Sequence, residues 1–213
     1  MPVSLSHIIA RLSDHKPREL EVDPSFRWAA VSAILRPRAH DWEILFIKRA
    51  AHDRDPWSGH MAFPGGQVDP IDPDAHAAAL REVREEVGLD LTRSGRFLGQ
   101  LNDVRATGRG IRLPMVVRPF VYSLQEEPEL ILNTDEVDEI VWIPLSSLLA
   151  GDGAGVFHYD YHGTPVALPC FRFASYLICG LTHLMLSELL ELVRPQLPDP
   201  DDRSSLNSGG GHE

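Results

Sequence analysis

Residues 63–89 read FPGGQVDPIDPDAHAAALREVREEVGL, and near their end Glu82, Glu85 and Glu86 stand beside Arg81 just before Gly88. At about 100° of rotation per residue these acids occupy i, i+3 and i+4 and share one helix face, while Leu80, Val83 and Val87 gather on another. One face can therefore pack on a core while the other meets a cleft. Carboxylates that close repel one another unless a cation neutralises them, and hard oxygen ligands with vacant positions suit Mg²⁺ or Mn²⁺ better than zinc. Arg81 lies at i−4 from Glu85 and can hold that carboxylate in place. A glutamate run is ordinarily a solvated helix face. Here it closes an ordered unit: a strand-like Phe-Pro, a Gly-Gly pair, a turn rich in Asp and Pro, an Ala-rich helix and a glycine stop.

Outside this stretch the composition sets bounds. A chain of 213 residues with 43% hydrophobic content suits one domain with a sizeable core. No run approaches the roughly 20 apolar residues needed to span a bilayer. The N-terminal MPVSLSHIIARLSDHKPREL has neither a basic leader with a long apolar stretch nor a small-residue cleavage site, so a cytoplasmic location is the expectation. The formal charge of −11 argues against a general nucleic-acid surface, because affinity for a phosphate backbone comes mainly from Lys and Arg. A small polyanion can still be bound by a metal and a few local cations. Cys170 and Cys179 cannot build a disulfide framework and fit no common zinc spacing, so buried free thiols are expected.

Periodicity predicts a short amphipathic helix over Leu5 to Leu12, within an N-terminal helix and link covering residues 1–26. Strands are expected at Arg27 to Leu35 and Glu43 to Lys48, with a turn at Pro37 to Asp41. Further strands are expected at Phe97 to Val104, Met115 to Leu124 and Val137 to Trp142, then a short helix near Leu145 to Leu149. A hairpin over Val156 to Tyr161 and Pro165 to Phe171 and an apolar helix from Phe173 to Val193 complete a domain spanning 27–194. Residues 195–213 lack the apolar content to order themselves and read as a disordered tail. Strands mixed with helices argue for an α/β sandwich. The apolar C-terminal helix can cover its own sheet or a second subunit, so a monomer and a homodimer both remain open.

The stretch from Gly66 to Leu89 resembles the Nudix box, G-x-x-x-x-x-E-x-x-x-x-x-x-x-R-E-apolar-x-E-E-x-G-apolar. From Arg81 to Leu89 every defined position matches. Asp72 occupies the Glu position, and the interval to Arg81 is one residue longer than usual. Such an extension, with FPGG and GG-x-x-D-P-x-D, resembles the branch that includes coenzyme A pyrophosphatases. The resemblance implies an α/β/α sandwich with a mixed, partly barrel-like sheet and metal-dependent hydrolysis of a pyrophosphate bond in a nucleoside diphosphate derivative. Coenzyme A or an acyl ester is the leading substrate, giving 3′,5′-ADP and 4′-phosphopantetheine. ADP-ribose, nucleotide sugars and dinucleoside polyphosphates are alternatives. A silent Nudix domain that regulates a partner is another, against which the intact REVREE argues.

The resemblance also implies roles. Glu82, Glu85 and Glu86 would hold Mg²⁺ or Mn²⁺, helped by the backbone carbonyl near Gly65 or Gly66, with Arg81 orienting. Asn133 to Leu145 resembles the family's E-V-x-E-x-x-W-apolar-P-L stretch, which makes Glu136 and Glu139 candidates for the general base. Either can equally be a solvated acid at a strand entrance. Lys48, Arg49 and Arg54 precede FPGG at the spacing of the coenzyme A branch, and can meet phosphate or serve as surface cations. Ala50 replaces a Ser of that branch and DPWSG alters its side chains. Trp57 can stack on a base or anchor the loop. His52, His60 and His76 read as polar loop or helix residues rather than ligands, and Asn102, Asp103 and Arg105 as a pocket border or a hairpin end.

Overall fold

Two apolar segments, RWAAVSAILRPR and DWEILFIKR, run antiparallel at the centre of the sheet in a computed structural model that describes residues 3–50, 60–108, 111–161 and 164–195. In chain order the elements are α1 (Leu5–Asp14), β1 (Arg27–Arg38), β2 (Asp41–Arg49), β3 (Met61–Ala62), β4 (Gly65–Gln67), α2 (Ala75–Val87), α3 (Leu91–Ser94) and β5 (Gly95–Gln100). There follow β6 (Val104–Gly108), β7 (Ile111–Leu124), β8 (Val137–Pro144), α4 (Leu145–Ala150), β9 (Ala154–Tyr161), β10 (Thr164–Phe173), β11 (Tyr176–Cys179) and α5 (Gly180–Val193). Residues Arg54 and Trp57, the DPWSG segment and the C-terminal tail lie outside the described residues.

The main sheet has eight strands, with a path β3-β2-β1-β7-β5 joined by β4 on β1, β6 on β7 and β8 on β2. β1 and β7 pair in parallel and the other pairs are antiparallel, so the sheet is mixed, and its path stops short of a closed barrel. Alternation along β1 sends Ala30 and Ile34 to one face and Ala29, Ala33 and Leu35 to the other. The first face is covered by α2, through Ala78, Ala79, Val83 and Val87. The second is covered by α1 and α5, through Ile8, Leu12, Leu186, Leu189 and Leu190. Burial of Val83 and Val87 contributes roughly 1.5–3 kcal/mol each, which fixes the polar face of α2 toward the sheet end. The layers make the expected α/β/α sandwich. No helix among the described residues is long and apolar enough to cross a membrane.

Both ends of α2 are set locally. The Asp74 carboxylate accepts the Ala77 N–H at 2.8 Å, and Gly88 takes the left-handed conformation (φ 70°) with its N–H donating to Arg84 O.

Three expectations are corrected. The strand over Phe97 to Val104 is two strands, β5 and β6. The ladder shifts between Phe97 and Gly99, and the Leu101–Asp103 link turns aside so that the Asp103 N–H can donate to Arg18 O at 3.0 Å. The C-terminal helix begins at Gly180, not Phe173, because Phe173 and Tyr176 pair across a turn with Ala174 at φ 50°. Cys170 and Cys179 are not free thiols. They stand directly opposite in the β10–β11 ladder with Cα atoms 4.3 Å apart and form a disulfide, so their spacing is that of a hairpin.

Candidate metal centre and active site

The acid cluster is assembled from two separate parts of the chain. α2 supplies Glu82 and Glu86, and the segment entering β8 supplies Glu136; one carboxylate oxygen of each lies within 4.8 Å of the others. Glu86 is 2% exposed and its carboxylate accepts the Gly65 N–H at 2.8 Å. Burial pushes its pKa up to about 8, with Glu82 and Glu136 adding to the rise and the Gly65 bond and Arg49 opposing it. Glu82 is raised as well, again chiefly by burial. With Glu86 buried, Glu82 half-buried and Glu136 exposed, three anions this close repel one another, and a divalent cation would offset that repulsion.

Glycine is required where the chain turns under these acids. A Cβ on Gly66 would sit 2.4 Å from the Glu82 carboxylate, and one on Gly65 would sit 2.2 Å from Ala30 O at a φ of +148°. The Gly-Gly pair thus lets β4 pass between β1 and the acidic face of α2, with Ala30 opposite Gly66 and Val31 opposite Gly65.

Arg81 ties the preceding loop to the helix. Its guanidinium donates to both Asp72 oxygens (3.1 and 2.9 Å), to Glu82 Oε1 (2.9 Å), to Glu85 Oε2 (2.9 Å) and to Gln67 O (3.1 Å). The bond from Arg81 holds the Asp72 carboxyl below its ordinary range. Asp72, which stands at the Glu position of the box, is thus tied to the helix by Arg81.

The other expected site residues separate into groups. Glu85 is paired with Arg81, its side chain 51% exposed, and stands outside the trio of Glu82, Glu86 and Glu136. Glu139 faces away to Tyr176, whose hydroxyl donates to its carboxylate. Lys48 lies 3.5 Å from Asp138, and Arg49 acts electrostatically on Glu86. His76 bonds to the Tyr122 hydroxyl within an aromatic group with Phe97 and Phe120. Asp103 is buried in a two-point ion pair with Arg118 (2.8 and 2.9 Å) and accepts the Leu20 N–H, while the Asn102 side chain accepts the Arg18 N–H. Asn102, Asp103, Leu20 and Arg105 line a groove with Arg18, Leu184 and Glu188, which holds none of the clustered acids. They fasten the N-terminal link to the sheet.

Sequence reasoning placed Glu136 only as a proton acceptor and missed its approach to Glu82 and Glu86. The signal lay in its position before a strand whose Val137 is buried beside α2, so that the preceding acid reaches the sheet end. Nothing in the sequence marks Tyr176.

The donor set is all oxygen and partly buried, which fits Mg²⁺ or Mn²⁺ and disfavours softer metals. The NUDIX domain matches residues 26–160. Human mitochondrial coenzyme A diphosphatase NUDT8 is 31% identical over 160 residues, covering 74% of this chain and 65% of that protein. The uncharacterized Nudix hydrolase NudL of Photorhabdus laumondii is 30% identical over 195 residues, covering 90% of this chain and 99% of its own. The chain spans just under two thirds of the human relative, and 33% of a longer relative from Schizosaccharomyces pombe. A MutT/nudix family protein from Enterococcus faecalis shares the fold, with a TM-score of 0.54, 18% identity, and coverage of 96% of this chain and 75% of that one.

Proposed function

The chain belongs to the Nudix family, and from that premise we propose that it is a pyrophosphohydrolase acting on a nucleoside diphosphate derivative, coenzyme A or an acyl ester foremost. The observation that carries the chemistry is the convergence of Glu82, Glu86 and Glu136 within 4.8 Å. The coenzyme A assignment draws on the human coenzyme A diphosphatase relative and on FPGG with its extended Asp-Pro loop.

Glu82 and Glu86, with Glu85 and the Gly66 carbonyl, are the groups that would hold the ion. A bound Mg²⁺ or Mn²⁺ supplies charge neutralisation for the diphosphate and lowers the pKa of water. Arg81 keeps Glu82 and Glu85 oriented, since it bonds to both carboxylates while its remaining bonds fix it to Asp72 and Gln67 O ahead of the helix. Of the two later acids, we assign the water's proton to Glu136, because its charge bears on Glu82 and Glu86 while Glu139 is engaged by Tyr176. Lys48 and Arg49, at the end of β2, supply positive charge for the substrate phosphates, and Arg54 is assigned to the same task from its sequence position. The domain boundaries proposed are 27–194, with 1–26 as an N-terminal helix and link and 195–213 as a tail.

The test is kcat/KM for coenzyme A, dephospho-coenzyme A, ADP-ribose and a dinucleoside polyphosphate under one metal condition. Coenzyme A should lead, and removal of its 3′-phosphate should reduce the value, since cations facing an absent phosphate lose charge-assisted bonds. Ala50 and DPWSG alter side chains that would read a coenzyme, which makes the other substrates the necessary comparison. A preference of more than about tenfold for ADP-ribose or the dinucleotide, roughly 1.4 kcal/mol in the transition state, would reject coenzyme A and keep the hydrolysis.

A further inference from the structure

β9, β10 and β11 form a sheet of their own, and β10 and β11 lie beyond residue 160, where the family match ends. This hairpin nevertheless reaches the catalytic end of the molecule. Phe171 and Ile178 share a buried cluster with Met61 and Phe63, just before Gly65, and the Tyr176 hydroxyl donates to the Glu139 carboxylate. Cys170 and Cys179 close the hairpin in which Tyr176 sits.

Glu136 ends the turn that leads into β8, and Glu139 stands inside the strand just past an irregularity. Arg49 pairs with Val137 and Lys48 with Glu139, leaving Asp138 as an extra residue in a bulge. Upstream of the bulge the backbone is well anchored. The Asn133 N–H donates to Glu86 O at 3.0 Å, and the Ala50 N–H to Glu136 O at 2.8 Å. From Glu139 onward β8 is paired with β2, and at the bulge itself the side-chain ties among the described residues are Lys48–Asp138, at 3.5 Å with both groups about two-fifths exposed, and Tyr176–Glu139. An exposed ion pair at that distance contributes little. The Tyr176–Glu139 bond is exposed too, and what sets it apart is a donor carried on a cross-linked hairpin.

We propose that Tyr176 is a positioning residue for the acid cluster. It holds the bulged entry of β8 so that Glu136 stays beside Glu82 and Glu86 against their mutual repulsion, and the Cys170–Cys179 disulfide keeps the hairpin in place for that contact. The proposal rests on the reading of the cluster as the metal centre of a hydrolase.

Binding of Mn²⁺ alone, followed by the electron paramagnetic resonance of the free ion, tests it together with steady-state turnover. Tyr176→Phe removes one oxygen and retains the ring. It should raise the Mn²⁺ Kd and lower kcat by about three- to tenfold, with substrate KM unchanged, which is the range of one ordinary hydrogen bond lost at an exposed site. Glu139→Met, which cannot accept the bond, should reproduce the Kd shift, and the double variant should be no worse than about twofold beyond either alone. Reduction of the folded wild type by a dithiol, which converts the Cys170–Cys179 disulfide to two thiols while the reductant becomes a disulfide, should move Kd in the same direction. A Tyr176→Phe protein with wild-type Kd and kcat, or effects of the two substitutions that multiply, would overturn the proposal. Should Tyr176→Phe fold poorly, wild-type Mn²⁺ affinity in Glu139→Met overturns it equally. Failure of the wild type itself to bind Mn²⁺ or to hydrolyse any pyrophosphate would instead strike the underlying assignment.

Discussion

Glu86 is the residue at which stability and function are set against each other. Its pKa, about 8 in the fold, lies above its ordinary value of 4.5, so between those limits the folded chain keeps a proton that the unfolded chain has released. Stability is then full below the lower value and falls as pH rises through the window. In excess chelator, Tm should decline between about pH 5 and pH 8, and Glu86→Gln should flatten that decline. A wild-type Tm that climbs across the same interval would show the acid to be ionised in the apo protein. Added Mg²⁺ or Mn²⁺ selects the carboxylate, so it should restore stability at the alkaline end and release a proton, read by calorimetry in buffers of different ionisation enthalpy. The same Glu86→Gln substitution should cut kcat by at least about a hundredfold, as removal of a charge stabiliser does. Gly66 supplies a steric counterpart. A methyl group there meets the Glu82 carboxylate at 2.4 Å, and Arg81 holds that carboxylate, so Gly66→Ala should weaken metal binding about tenfold or more while leaving a folded protein. Unaltered Mn²⁺ affinity in the alanine variant would mean that Glu82 is free to withdraw.

At the scale of elements, α2 was legible in the sequence because its determinants are local: Asp74 and Gly88 as caps, the Val83–Val87 stripe, and acids at helical spacing. The β5–β6 break was not. Its cause is Asp103, whose partners Arg18, Leu20 and Arg118 are distant in the chain, and no window of sequence contains them together. The helical reading of Phe173 to Cys179 failed for a related reason. An apolar run has no periodicity that distinguishes a strand from a buried helix, and the ladder partner of Cys179 lies across the turn. Glu136 was legible as a candidate acid, and its distance from Glu82 and Glu86 was not, since it depends on how β8 docks beside β2. The buried link carries its own expectation. Asp103→Ala strips Arg118 of its main partner and leaves the Leu20 N–H unsatisfied, which should cost about 3–5 kcal/mol by denaturant titration. A loss below 1 kcal/mol, the scale of an exposed pair, would show that water replaces the carboxylate there.

Across the whole molecule, α1 belongs to the same core as the catalytic body. Ile8 and Leu12 are 0% and 3% exposed against α5 and β5, so deleting residues 1–15 uncovers apolar surface worth roughly 1.5–3 kcal/mol per side chain. The truncated chain should unfold at lower denaturant concentration; an unchanged midpoint would make α1 a dispensable appendage. The parallel pairing of β1 with β7 bears on a different property, the order of events as the chain collapses. Arg27 stands opposite Met115 and Leu35 opposite Ser123, and the whole of β4 and α2 is strung along the loop between them. Contacts that distant form late, since loop-closure entropy is lost before any of them rewards it. Glu136 lies later still in the chain. A nascent or refolding molecule therefore makes its helix early and gains its grip on the ion last, so recapture of Mn²⁺ should lag behind the recovery of helical circular dichroism, and the interval between the two signals is a clock for the docking of β7 and β8.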